Sequence, residues 1–71
     1  MKKISVSLSG HQTSISLEEE FITALQKIAA ARNMSVAAII SAIDETRPAT
    51  SNLSSAVRVW VLKNVKDIKD I

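Results

Sequence analysis

Seventy-one residues make one domain, near the size at which a single core is barely sufficient and disulfides, metals or association often help. There is no cysteine, which excludes disulfide staples and thiolate zinc sites and leaves association as the remaining aid. Hydrophobic residues make up 46% with one Phe, one Trp and no Tyr, so the core must be aliphatic and alanine-rich; nine basic against seven acidic side chains permit contact with nucleic acid without forming a basic tail.

Lys2 to Ser9 alternate strictly, with Ile4, Val6 and Leu8 on one face and Ser5, Ser7 and Ser9 on the other, which predicts a strand. Residues 11–17 alternate again, Thr13, Ile15 and Leu17 against Gln12, Ser14 and Ser16. The apolar parity is even in the first stretch and odd in the second, so one continuous strand would turn its second half outward. Two strands are therefore expected, separated at Gly10, the only glycine, as a bulge or as part of a tight turn. The second strand runs into a helix with no linker. Its backbone groups need a partner strand, and a second copy of the chain is one source of it.

Helical spacing takes over at Glu18, and the first helix is expected over residues 18–33. Phe21, Ile22, Leu25, Ile28 and Ala29 form its buried stripe. Ser16 and Glu19 have the spacing of a capping box, Glu18 to Glu20 complement the positive helix end, and Asn33 suits a left-handed stop. The second helix is expected over 35–47. Ser35 caps it, Val36, Ile39, Ile40 and Ile43 follow the helical template, and Pro48 ends it. Asp44 is expected to pair with Arg47 or with Arg58.

Asn52 is a cap for a third helix over 52–66, with Leu53, Ala56, Val57, Trp60, Val61 and Val65 as one broad stripe that Val59 and Leu62 widen. The β-branched run Ala56 to Leu62 also suits a buried strand, and the cap, the alanine and the length favour helix. A helix apolar nearly all round must be covered on most sides, which implies a dimer core. The tail, Lys63 to Ile71, alternates charges and is expected to fray. All of this describes a single domain over residues 1–71, with residues 1–10 a strand or arm and 11–17 the ribbon strand.

The strand Gln12 to Leu17, a helix ending near Asn33 and a second helix opened by Ser35 resemble the ribbon-helix-helix fold of bacterial and phage DNA-binding proteins. Three stretches resemble a small ribbon-helix-helix family with a third C-terminal helix: Gly10 to Glu18 with the Phe21 and Leu25 pair, Ile43 to Arg47, and Asn52 to Arg58. The resemblance implies a mostly α fold with a short N-terminal β-ribbon, assembled as an intertwined homodimer whose ribbon enters the major groove of double-stranded DNA. It makes Gln12, Ser14 and Ser16 the base-contacting side chains, of which Gln12 can contact adenine in a bidentate manner. It assigns the DNA backbone to Lys2, Lys3, His11, Ser35 and Val36, the last two through amides at a helix N-terminus. Many such proteins carry arginine or lysine where this chain has Gln12, Ser14 and Ser16. If Ile4 to Leu8 folds back beside Ile15, a dimer would show four strands, too wide for a groove about 12 Å across.

Other chemistries lack their residues. His11 is the sole histidine and has no companion ligands, so no metal is expected. No Gly-x-Ser-x-Gly elbow, phosphate loop or paired buried carboxylates occur; no cofactor and no enzymatic activity are expected. The Met-Lys-Lys start leads into no long apolar run and no stretch approaches a membrane span, so a soluble cytoplasmic protein is expected. The sequence reads as a sequence-specific transcriptional regulator, a repressor, with a protein-interaction or dimerisation module on the same fold as the alternative. A further protein partner belongs to that alternative.

Overall fold

The two alternating stretches pair with each other. In the computed structural model, which describes residues 1–8 and 10–67, β1 (Lys2–Leu8) and β2 (His11–Leu17) form a two-stranded antiparallel hairpin. Lys2 faces Leu17, Ile4 faces Ile15, Val6 faces Thr13 and Leu8 faces His11. Every even position of β1 thus meets an odd position of β2. The parity change in the sequence is what an antiparallel hairpin in this register requires, since it puts both apolar sets on one face. The turn that returns the chain from β1 to β2 needs positive φ, and Gly10 supplies it at φ +81°. The partner of β2 in this chain is therefore β1, and the fold-back of Ile4 beside Ile15 is realised.

Three helices follow, α1 (Glu19–Ala31), α2 (Val36–Thr46) and α3 (Leu53–Asn64), then a short 3-10 turn, Val65–Asp67. The expected capping box at α1 is not formed. Glu18 is the N-cap residue and makes no side-chain cap bond; its carbonyl accepts from the Phe21 and Ile22 amides. Its carboxylate is drawn instead to Arg58, forty residues away, and Glu19 meets Lys2. The other end of α1 closes through Asn33 at φ +55°, with the Met34 amide donating to the Ala29 carbonyl and the Asn33 amide to that of Ala30. This paired arrangement satisfies carbonyls the helix would leave open.

Ser35 Oγ accepts from the Ala38 amide at 3.0 Å, and Asn52 Oδ1 from the Ser55 amide at 3.2 Å, so both downstream helices carry side-chain caps. Arg47, just before Pro48, is extended (ψ 149°) and ends α2. Of the two partners considered for Asp44, Arg47 is the one used, at 2.8 Å, and the same guanidinium donates to the Ser51 carbonyl. Arg58 goes to Glu18.

The core is one cluster in which each of the five elements takes part. Val6, Leu8, Ile15 and Leu17 come from the hairpin, Leu25 and Ile28 from α1, Ile39, Ile40 and Ile43 from α2, Val57 and Val61 from α3. α2 packs on β1 and α3 on β2. Segment 53–64 is helical because its buried residues, Val57 and Val61, are four apart and its neighbours on that stripe, Leu53, Ala56 and Trp60, are partly covered. Val59 (50%) and Leu62 (71%) stay exposed on the far side. Lys63 and Asn64 belong to α3, where Asn64 bonds the Trp60 carbonyl and Arg32, and Val65 packs on the core. Ser9, and the expectation of fraying over residues 68–71, lie outside the described residues.

Candidate nucleic-acid interface

The hairpin has two dissimilar faces. The inward one carries the apolar set that packs on α2 and α3. The outward one carries Lys3, Ser5 and Ser7 from β1 and Gln12, Ser14 and Ser16 from β2, and the register sets them in three opposed pairs: Lys3 with Ser16, Ser5 with Ser14, Ser7 with Gln12. All six are polar. All are exposed except Ser16, which is half-buried where β2 meets α1. Two strands about 4.8 Å apart, each carrying one row of polar side chains on this face, fit a groove about 12 Å wide.

Gln12, the one side chain of the six that can both donate and accept through an amide, stands next to the ribbon tip. Lys3 is the one cation on this face and lies at the opposite end, beside the start of α1. The other candidate positions are spread more widely. Lys2 has the inward parity but sits at the hairpin's open end, exposed, with its ammonium 3.1 Å from a Glu19 carboxylate oxygen. Two-thirds exposure on both sides makes that pair weak and easily exchanged for a phosphate.

His11 is at the tip, opposite Leu8, and borders an open hollow of about 350 Å³ that Thr13, Ser14, Asp44, Arg47, Asn52 and Ser54 also line. Ser35 and Val36 open α2 at the end away from that hollow, since Asp44 and Arg47 at the other end of the helix line it. Eleven helical residues put the two ends about 16 Å apart. With Ser35 Oγ occupied by the Ala38 amide, the Val36 and Ala37 amides are the donors in that turn without an intrahelical acceptor. The structure thus gathers Lys3, Gln12, Ser14 and Ser16 on one face, sets Lys2 and His11 at its two ends and keeps Ser35 and Val36 on a separate element. Sequence reasoning left out Ser5 and Ser7, whose membership of the face follows from the register of β1 on β2.

Electrostatics fix the hairpin to the helices. Arg58 Nε donates to Glu18 Oε1 at 2.9 Å and Nη2 to Oε2 at 3.3 Å, a two-pronged pair joining the end of β2 to α3. The guanidinium holds the Glu18 carboxyl below its ordinary value, through that hydrogen bond first and its charge to a lesser extent. Arg58 also lies over the Phe21 ring, 6.0 Å from its centre. The three separated sequence motifs meet here: the first and third through Glu18 and Arg58, and all three around the hollow at the tip.

Compared with known families, the chain matches the ribbon-helix-helix domain over residues 1–65. No curated protein and no solved structure matches it. Domains of this family are typically DNA-binding regulators and usually form homodimers. No helix among the described residues is long and apolar enough to cross a membrane.

Proposed function

Because the chain belongs to the ribbon-helix-helix family, we propose that it is a cytoplasmic, sequence-specific DNA-binding regulator of transcription, a repressor, that works as a homodimer and places a β-ribbon in the major groove. The observation that carries this reading is the outward face of the hairpin, six polar residues in register with no apolar side chain among them. An amphipathic ribbon of this width presents hydroxyls and one amide to base edges. In this reading Gln12, Ser14 and Ser16 read sequence, while Lys2, Lys3, His11 and the amides at Ser35 and Val36 hold the phosphates. The dimer is supported by Val59 and Leu62, three residues apart on α3 and exposed, which a second copy would cover.

The test is selection of bound fragments from genomic DNA with the purified protein, followed by binding titrations at several salt concentrations. A shared sequence among the fragments and affinity that falls with salt are expected. Equal retention of unrelated sequences would remove the sequence-specific part, and no retention at low salt would remove DNA binding.

One observation favours a second reading, a protein-interaction or dimerisation module without DNA. An apolar groove between the end of α2 and α3, lined by Pro48, Ala56, Val59 and Trp60, adjoins the exposed side of α3. Indifference to heparin and DNA, with concentration-dependent self-association or capture of a partner lost on Val59→Glu, is the result that reading expects.

A further inference from the structure

We propose that the exposed ridge of α3 packs against the same ridge of a second copy, the two helices parallel, with Glu20 of each chain facing Lys63 of the partner subunit. This rests on the homodimer part of the proposed function and deepens it, and it does not depend on DNA binding. Val57 and Val61 turn into the core, while Ser55, Val59 and Leu62 are exposed, as is Lys66 in the turn that follows. These four are spaced four, three and four residues apart, the spacing that keeps a straight seam toward another helix. Val59 (50%) and Leu62 (71%) are its apolar pair. A groove follows the seam on each side. The one toward α2, about 380 Å³, is lined by Pro48, Ala56, Trp60 and Lys63, and the one toward α1, about 170 Å³, by Glu20, Phe21, Ala24 and Val65. A ridge between two grooves is complementary to a copy of itself, since each ridge can lie in a groove of the other.

The charges on the two flanks choose the orientation. Toward α1, Glu18 is paired with Arg58, which leaves Glu20 as the charge at the groove. Toward α2, Arg47 is paired with Asp44, which leaves Lys63. Neither Glu20 nor Lys63 has an ion-pair partner among the described residues. Two copies that meet face to face about a two-fold axis have two arrangements. With the axis across α3 the helices run antiparallel and like flanks meet, Glu20 against Glu20 and Lys63 against Lys63. With the axis along α3 the helices run parallel and unlike flanks meet, so Glu20 of one chain faces Lys63 of the partner subunit, once on each side. Opposite charges beside an apolar seam set both partner and orientation. Lys66 stands beyond the end of α3, where its long side chain reaches water. The ridge is on the side of α3 turned away from Val57 and Val61, so this contact makes no use of the hairpin and adds to any pairing of strands between copies.

The experiment is sedimentation equilibrium over a range of concentrations, with the fold of each variant checked by circular dichroism. The association step assigned to the ridge is the one that Val59→Glu, at an exposed position, weakens, by about 10-fold or more. Glu20→Lys alone and Lys63→Glu alone are each expected to weaken that step by about 5-fold or more, because each turns two attractive pairs into repulsive ones. An equimolar mixture of the two single variants, and the double variant by itself, are expected to return to within about 2-fold of wild type, since both place opposite charges on facing flanks again.

Single variants that associate as well as wild type, or a mixture no better than its components, overturn the proposal. Assembly of the wild type that Val59→Glu leaves unchanged also overturns it, and leaves standing a homodimer made through another face. A wild type that is monomeric at every concentration defeats the homodimer together with it.

Discussion

Replacing Leu17 by alanine removes three carbons from a side chain that is fully buried at the junction of β2 and α1. At about 0.8 kcal/mol for each buried methylene the transfer cost is roughly 2.4 kcal/mol. The cavity left among its core neighbours raises the loss into the range of about 2 to 5 kcal/mol, because a core holding residues from five elements cannot collapse freely around one site. A domain of this length has a total stability of roughly 4 to 10 kcal/mol, so the substitution removes a large fraction of it. Urea titration followed by circular dichroism measures the change, and a fall in melting temperature of roughly 10 to 25 °C is expected alongside. Ser14→Ala, one position from buried Ile15 but facing water, is the control and should stay within about 0.5 kcal/mol. A loss below 1 kcal/mol at Leu17 would refute the packing of the ribbon's inward face on the helices.

Gly10→Ala meets open space but must keep φ near +81°, so a loss of about 1 to 2 kcal/mol is expected in the same titration, and no loss would mean the turn can change its geometry. Arg58→Met removes the group that depresses the Glu18 carboxyl. A depressed folded-state pKa gives stability that is present above the unfolded value of 4.5 and lost as pH falls through the folded one, so the variant should begin acid unfolding at higher pH and its Glu18 carboxyl should titrate higher by NMR. Identical acid transitions in variant and wild type would count against the pair. Gln12→Ala should relax base preference in a randomised operator library, whereas Lys3→Ala should weaken all sequences alike and reduce the salt slope by about one. Ser35→Ala is expected to cost about 1 kcal/mol through the lost cap, whatever its effect on DNA; a neutral result would show the cap to be replaceable by water.

What could be read from the chain was what neighbours decide. The serine and aliphatic alternation marks both strand faces, Ser35 and Asn52 announce their helices, and Asn33 and Pro48 close the ones before. The mostly α fold with an N-terminal ribbon follows from these local signals. What escaped depends on partners distant in sequence. The Ser16 and Glu19 spacing satisfies a local rule, yet Glu18 takes the cap position and spends its carboxylate on Arg58, a pairing that no spacing rule reveals across forty residues. The parity switch around Gly10 marked a break, but only the register shows that it lets β1 and β2 bury one face together. The family resemblance singles out Gln12, Ser14 and Ser16, since alternation alone marks Ser5 and Ser7 as well, and Lys3, Ser5 and Ser7 join that face only when the strands are paired.

The most direct measurement is amide chemical-shift mapping of the labelled protein during titration with its selected DNA fragment. A hairpin that faces the groove predicts the largest changes at Lys3, Ser5, Ser7, Gln12, Ser14 and Ser16, with Val59 and Leu62 unmoved by the duplex. Changes confined to α3, with the outward residues of both strands silent, would contradict it.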